Sequence, residues 1–166
     1  EMKSTGEVMG IDRNFSSALT KALLAANLSL KHGIGVLLSI ADQYKAEAVP
    51  LVQGLNRAGC QLYATEGTAS MIAAMGVPVT MTTKKLGEGH PNVVDVINDG
   101  SVGAVVNTVS GVNEVLRDGF NIRRAAVERQ IPCFTSLDTA RAAVESLLTD
   151  QATYAVGTTS EYLRQE

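Results

Sequence analysis

The stretch LYATEGTASM, residues 62–71, has the pattern of a short buried strand that turns directly into a helix. The turn contains Thr65, Glu66, Gly67 and Thr68, so that two hydroxyls three residues apart flank a glycine. Capping the start of the helix alone would need only one of these threonines. The second threonine and the glycine therefore indicate a place where the chain holds an anion.

The same alternation of strand and helix continues along the chain from residue 34. The predicted strands cover 34–40, 60–64, 77–81, 102–107 and 131–135. The predicted helices cover 44–58, 68–75, 91–99, 120–130 and 137–148. Strands that are apolar throughout, each followed by a helix, indicate a parallel sheet covered on both faces. We therefore predict an α/β fold, a three-layer α/β/α Rossmann-like sandwich with a five-stranded parallel sheet.

Composition narrows the class of protein. A length of 166 residues suits one domain with a substantial core. The net charge of −3 argues against sequence-independent nucleic-acid binding, which normally needs a basic surplus. No apolar run approaches the roughly 18 residues of a membrane span, and no secretory signal is apparent. Cys60 and Cys133 lack metal-type spacing. We expect no metal, membrane or nucleic-acid partner and a reducing, cytoplasmic location.

The first 30 residues do not follow the strand–helix alternation. FSSALTKALLAAN, residues 15–27, predicts an amphipathic helix with Asn14 as its N-cap. We expect this helix to pack on the core through Phe15, Leu19 and Leu23. Residues 1–12 have the pattern of the end of an element whose beginning is missing. We expect them to be poorly ordered, or paired only within a crystal or dimer.

Polar residues cluster after the predicted strands. In an open parallel sheet, ligands bind at the carboxyl ends of the strands, where helix N-termini converge. The residues predicted to lie there are Ser39, Lys45, Thr65, Gly67, Thr68, Lys84, Lys85, Asn107, Thr108 and Ser110. Each has a plainer interpretation: Thr68 could be an N-cap, and the lysines could be solvated surface charge. Their coincidence at one sheet edge favours a phosphate site.

Catalytic patterns are weaker than this binding pattern. The chain has no Ser-His-Asp order, no Gly-x-Ser-x-Gly elbow and no paired-carboxylate spacing. His32 and His90 are isolated and are expected to be structural or solvated. A binding module is therefore favoured over an enzyme.

Several segments resemble a known family. MKSTGEVMG, residues 2–10, resembles the closing signature of the second ATP-grasp unit in the carbamoyl-phosphate synthase large subunit. ATEGTA, KKLGEGHPN, NTVSG and IRRAAVERQIP, in that order, resemble the C-terminal regulatory domain of that subunit. The resemblance covers essentially the whole chain. It implies that residues 1–30 are the tail of the preceding ATP-grasp domain and a linker helix. Residues 31–166 would then be a methylglyoxal-synthase-like allosteric domain with strand order 3-2-1-4-5.

The resemblance also implies ligands and their contacts. The family's domain binds UMP and IMP, with ornithine nearby. The family's phosphate contacts fall on Lys45, Thr65, Thr68, Lys85 and Asn107; Ser39, Gly67 and Ser110 lie beside them in the predicted site. The local contributors to the amino-acid effector site would be Cys133 and Thr135. Three places depart from the family pattern. Many members have threonine or proline at Val109, the loop from Val112 to Asn121 fits the family less closely, and some members have tyrosine at Cys133.

The whole enzyme implied by the resemblance makes carbamoyl phosphate from bicarbonate, glutamine-derived ammonia and ATP, with Mg or Mn, for pyrimidine and arginine biosynthesis. Its partners would be the rest of the large subunit and the glutaminase small subunit. Its catalytic residues lie in other domains, so this chain is expected to have no catalytic site and no cofactor of its own. Two alternatives share the fold: a methylglyoxal-synthase-like lyase and a purine cyclohydrolase domain. NTVSGVNEV lacks the aspartate that the lyase needs, and the cyclohydrolase lacks the MKSTGEVMG lead-in.

Overall fold

The computed structural model describes residues 7–83, 89–108, 113–149 and 156–163. Its strands are β1 (Gly35–Ser39), β2 (Gln61–Thr65), β3 (Thr80–Thr82), β4 (Ala104–Asn107) and β5 (Cys133–Phe134). They form one parallel sheet in the order β3-β2-β1-β4-β5. The predicted fold class and the strand order implied by the resemblance are both confirmed.

The helices follow the predicted order. They are α1 (Phe15–Ala25), α2 (Val49–Arg57), α3 (Glu66–Ala74), α4 (Val93–Asn98), α5 (Asn113–Glu128), α6 (Leu137–Leu148) and α7 (Thr159–Leu163). Helix α6 has the predicted extent, the others differ in extent, and α7 was not predicted. Of the predicted helix over 44–58, only Val49–Arg57 is α-helical; a separate 3₁₀ turn, Asp42–Tyr44, and a turn over 45–48 precede it. Pro50 lies in the first turn of α2, where its missing N–H breaks no hydrogen bond. Helix α5 begins seven residues before the predicted start at 120.

Helices cover both faces of the sheet. On one face, α2, α3 and α6 pack over Val36, Leu38 and Phe134. On the other face, α4 and α5 pack over Leu37 and Val105. Because side chains alternate along a strand, β1 supplies buried residues to both layers, which explains its continuous apolar sequence. Within the ranges that the structure describes, no helix is long and apolar enough to cross a membrane.

The register of the strands places their last polar residues side by side. Ser39 pairs with Asn107, Thr65 pairs with Thr82, and the preceding pair on β1 and β2 is Leu38 with Ala64. The four side chains therefore form one line across the carboxyl edge of the sheet, on the α4 and α5 face. We call Thr82, Thr65, Ser39 and Asn107 the polar row. It lies directly beyond the apolar residues of that face.

Helix α1 packs on the domain by a narrower face than predicted. The Oδ1 atom of Asn14 accepts a hydrogen bond from the Ser17 N–H at 2.9 Å, which confirms the predicted N-cap. Leu23 is buried in the core, and Leu19 packs against it. Phe15, however, is 80% exposed, so its predicted contribution to the packing is wrong. Thr20 in the middle of α1 meets Ser146 of α6 at 2.8 Å, and Phe15 begins the helix more than one turn before that contact.

The segment before α1 is held by that helix where the structure describes it. A Cβ atom on Gly10 would lie 1.9 Å from the Ala18 carbonyl oxygen, so the backbone at Gly10 rests on the helix. Lys21 donates to the Ile11 carbonyl at 2.8 Å and pairs with Asp12 at 2.9 Å. The expectation of a poorly ordered segment is therefore wrong for residues 10–12. Residues 1–6 lie outside the described part of the chain.

Candidate anion-binding site

The candidate site lies at the carboxyl end of β1, where the order of strands reverses. The chain runs from β1 outward to β2 and β3, then returns to the other side of β1 for β4 and β5. The connections after β1 and after β4 therefore leave the sheet in opposite directions and open a crevice between them. Ser39 ends β1 at this point, and its neighbours in the polar row are Thr65 and Asn107.

Thr68 joins the first turn of α3 to the end of β1. Its Oγ1 accepts a hydrogen bond from the Ile40 N–H at 3.0 Å and donates to the Ile40 carbonyl at 3.4 Å. The Thr65 hydroxyl donates to the same Oγ1 at 3.4 Å. Thr68 is only 1% exposed. Because α3 begins at Glu66, Thr68 lies inside the helix and the plainer interpretation of it as the N-cap is wrong.

The start of α3 has no capping side chain among the described residues. Thr65 holds the N-cap position with an extended backbone, but its side chain makes no capping hydrogen bond. The first N–H groups of a helix have no partner within the helix, and they carry the positive end of its dipole. An anion would satisfy both the unpaired donors and the dipole.

Lys45 brings a cation to the same helix start. A Cβ atom on Gly67 would lie 2.9 Å from the Nζ atom of Lys45, so the ammonium lies against the bare backbone of this glycine. Two positive groups in contact are favourable only when a negative group compensates them. Asp42 compensates now, with its Oδ1 at 2.7 Å from Nζ. The Asp42 side chain is 94% exposed and the Lys45 side chain only 26%, so the ion pair is open to solvent on the Asp42 side.

The end of β4 is tied to the loop after β1. The Thr108 N–H donates to the Ser39 carbonyl at 3.2 Å, and the Thr108 Oγ1 accepts from the Ala41 N–H at 2.8 Å. Asn107 is buried, and its Oδ1 accepts from Arg123 Nη1 at 2.7 Å. Sequence reasoning did not single out Arg123. The one local signal is Gly119, which lies one helical turn earlier on the same face of α5.

Two predicted contacts fall outside the described residues. Lys85, together with Lys84, belongs to the segment 84–88, and Ser110 belongs to 109–112. The residues on either side of 84–88 meet at the carboxyl end of β3. Thr83 receives a hydrogen bond from the Val93 N–H at 3.0 Å and donates its own N–H to the Pro91 carbonyl at 3.2 Å.

Cys133 and Thr135 are not brought together with the other candidates. They lie at the end of β5, two strands from β1, which is a separation of about 10 Å at the usual strand spacing. Burial raises the pKa of the Cys133 thiol, and the cation of Arg123 opposes that rise. Thr135 is exposed. A ligand that touches both Thr65 and Thr135 would have to span most of the sheet edge.

The histidines lie in hydrogen bonds of their own. His32 Nδ1 is 3.3 Å from the Ala58 carbonyl, and His90 Nδ1 is 2.5 Å from Asp95 Oδ2. The pKa of Asp95 is lowered first by the backbone N–H of Asn92 and then by His90. No cluster of three or more His, Cys, Asp or Glu side chains in the described ranges has the geometry to hold a metal ion.

Comparison with known proteins places these features in a family. The family described as "MGS-like domain" matches residues 47–135, which contain Thr65, Thr68 and Asn107. The carbamoyl phosphate synthase large chain of Thermomicrobium roseum is 52% identical over 166 residues, covering 100% of this chain and 15% of the relative. The protein from Methanopyrus kandleri named "Carbamoyl phosphate synthase large chain, C-terminal section" is 44% identical over 147 residues, covering 89% of this chain and 27% of the relative. The resemblance noted in the sequence is confirmed, and the chain spans well under a third of either relative.

Proposed function

Because the chain belongs to the MGS-like domain family and matches large chains of carbamoyl phosphate synthase, we propose that it is the C-terminal effector-binding domain of such a large chain. Its ligand is a nucleoside monophosphate, UMP or IMP, whose phosphate binds at the carboxyl end of β1. The domain itself carries no catalytic step. It biases an enzyme whose ATP-dependent chemistry takes place elsewhere in the large chain.

The observation that carries this proposal is the position of Lys45 over Gly67 at the uncapped start of α3. A phosphate there would receive N–H donors from the helix and a charge-assisted hydrogen bond from the ammonium. The hydroxyls of Thr65 and Ser39 lie beside it in the polar row. Lys85 and Ser110, outside the described residues, are proposed as further contacts.

The wider assignments rest on the resemblance and on the relatives. Residues 1–30 would connect the domain to a preceding ATP-grasp unit. The complete enzyme would use ATP with Mg or Mn, work with a glutaminase small subunit in the cytoplasm, and supply pyrimidine and arginine biosynthesis. Ornithine would bind near Cys133 and Thr135, on a part of the sheet edge separate from the phosphate.

Calorimetric titration of the chain with UMP and IMP tests the proposal, with uridine and inosine as ligands that lack the phosphate. Lys45→Gln is expected to weaken nucleotide binding about ten- to a hundred-fold, because a hydrogen bond to a charged group contributes about 1.5 to 3 kcal/mol. Lys31→Gln is the matched control, since Lys31 is an exposed lysine that precedes β1 at the opposite edge of the sheet. It should bind as the parent does.

Two outcomes would overturn the proposal. One is the absence of any binding of UMP or IMP to the parent at millimolar concentration. The other is equal binding of uridine and UMP, since the phosphate would then contribute nothing. Release of phosphate from dihydroxyacetone phosphate would instead indicate the lyase that shares this fold.

A further inference from the structure

Arg123 fixes which way the side-chain amide of Asn107 faces. An arginine side chain has hydrogen-bond donors and no acceptor, so only the Oδ1 of Asn107 can lie 2.7 Å from Arg123 Nη1. The side-chain NH₂ of Asn107 must then face away from Arg123 and toward Ser39, its neighbour in the polar row. This orientation follows from the chemistry of the partner, and it does not depend on telling oxygen from nitrogen in the amide.

The donors of Asn107 are poorly used by the protein. Asn107 Nδ2 is 3.5 Å from the Ser39 carbonyl, which is at the long limit for a hydrogen bond. Asn107 is buried at the centre of the sheet edge, beside the point where the strand order reverses. A buried amide with weakly engaged donors gains free energy when a ligand supplies an acceptor.

Gly119 leaves the space that this contact needs. A Cβ atom on Gly119 would lie 2.8 Å from Arg123 Nη1 and 3.1 Å from Asn107 Oδ1. Glycine inside a helix costs about 1 kcal/mol relative to alanine. Here the absence of a side chain allows the arginine to reach across α5 to the end of β4.

We propose that Arg123 is a positioning residue that holds Asn107 as a hydrogen-bond donor to an oxygen of the bound anion. The ligand class rests on the function proposed above; the orientation of the amide does not. Without Arg123, the amide can rotate and present Oδ1 to the ligand, which would repel a phosphate oxygen. Arg123 and Asn107 together therefore favour ligands that place a hydrogen-bond acceptor against Asn107 Nδ2 and disfavour ligands that place an amine there.

A double-mutant cycle tests whether Arg123 acts through Asn107. Arg123→Met and Asn107→Ala are each expected to weaken UMP binding about three- to ten-fold, the range of one hydrogen bond. The double variant should bind no more weakly than Asn107→Ala alone. If the two losses multiply, Arg123 acts as an independent cation and the proposal is wrong.

Two further variants separate positioning from charge and from folding. Arg124→Met is the matched control, since Arg124 is the next residue of α5 and pairs with Glu128 at 2.8 Å on the exposed side. It should leave UMP binding unchanged. The lysine of Arg123→Lys, like arginine, can donate hydrogen bonds but cannot accept them, so it can still hold the Oδ1 of Asn107. This variant is therefore expected to bind UMP more tightly than Arg123→Met. Binding by Arg123→Lys as weak as that of Arg123→Met would count against positioning.

The ligand-free protein supplies an independent measurement. The Asn107 side-chain NH₂ signals in a ¹⁵N-labelled sample, identified by their loss in Asn107→Ala, should shift or broaden in Arg123→Met and stay unchanged in Arg124→Met. Unchanged signals in a folded Arg123→Met variant would overturn the positioning role. Failure of the parent to bind UMP or IMP would overturn the proposed function instead, while the amide signals would still report the orientation.

Discussion

Thr82 ends the polar row at the edge strand β3, and its environment leads to a test at the scale of one atom. The residue is 1% exposed, and its hydroxyl has no hydrogen-bond partner in the part of the chain that the structure describes. An unpaired buried hydroxyl costs about 1–3 kcal/mol. Thr82→Val removes that cost with little change of shape, so the free energy of unfolding should stay the same or rise by about 1 kcal/mol. Urea denaturation measures it.

Thr68→Val is the matched control for Thr82→Val. The same atoms change, but the Thr68 hydroxyl holds the backbone of Ile40 and the hydroxyl of Thr65. Its removal leaves the Ile40 N–H without that partner, and unfolding free energy should fall by about 1–3 kcal/mol. If both variants lose the same amount, the Thr82 hydroxyl is paired in solution and belongs to the same network.

Gly67 offers a second residue-scale test, in which stability and binding should separate. A Cβ atom at Gly67 would meet only the end of the flexible Lys45 side chain, at 2.9 Å. Gly67→Ala should therefore leave unfolding free energy unchanged or raise it by up to about 1 kcal/mol, since alanine favours the helix. UMP binding should weaken, because the ammonium is displaced from the helix start. Calorimetry and urea denaturation of one sample measure both.

Gly54→Ala shows what the same change does where no side chain can move away. At Gly54 of α2 the added Cβ would lie 2.6 Å from Val144 Cγ1 in the core. The free energy of unfolding should fall by about 1–3 kcal/mol through overpacking, with no direct effect at the proposed anion site.

For Gly67→Ala itself, unchanged UMP binding would mean that the phosphate is held without Lys45.

At the scale of elements, Lys21 of α1 joins two distant parts of the chain. Its ammonium pairs with Asp12 and hydrogen-bonds to the hydroxyl of Tyr162 in α7 at 3.0 Å, with the tyrosine ring also within 4.9 Å. The hydrogen bond from Lys21 lowers the pKa of Asp12 below its ordinary value of 3.8, against the effect of burial. The carboxylate therefore contributes stability above that ordinary value, and the contribution is lost as pH falls through the lowered pKa.

Comparison of the parent with Asp12→Asn over a range of pH checks this linkage. Asp12→Asn should have a lower melting temperature than the parent at pH 7, and the two should converge as the pH falls below about 4. Glu47→Gln, a change at an exposed carboxylate, should follow the parent at every pH. A gap between parent and Asp12→Asn that does not narrow at all as the pH falls below about 4 would contradict an ionic origin.

Elements also show which parts of the structure sequence patterns can predict. Helix α6 spans the predicted range because its apolar residues repeat with the helical period. The sequence pattern placed the start of α5 at 120 and missed its first two turns, because Gly119 is a poor helix former and interrupts the pattern.

The candidate site likewise contains some residues that the sequence predicted and others that only the structure reveals. Thr65, Thr68 and Asn107 were predicted because topology alone brings strand ends to one edge. The role of Thr68 depends on contact with Ile40, 28 residues earlier, and no local pattern reports it. Arg123 is likewise indistinguishable from Arg124 until the rotation of α5 on the sheet is known.

At the scale of the whole molecule, the proposed anion site lies where the two halves of the sheet meet. Strands β2 and β3 follow β1 on one side, and β4 and β5 lie on the other. The start of α3 belongs to the first half, and Asn107 belongs to the second. The two halves are already joined through β1 and through the hydrogen bonds of Thr108 to Ser39 and Ala41. An anion held by the start of α3 and by Asn107 would link them a further time.

Backbone amide spectra of a ¹⁵N-labelled sample test this link. On saturation with UMP, the signals of Gly67 and Thr68 on one side and of Asn107 and Thr108 on the other should shift together, along one binding curve. Uridine, which lacks the phosphate, should move neither set. The signal of Gly59, which lies at the opposite edge of the sheet just before β2, should not shift and serves as an internal control.

If UMP shifts the α3 signals alone, Lys45 and the helix start bind the phosphate without Asn107. The site would then be confined to one half of the sheet, and Asn107 with Arg123 would have no part in binding.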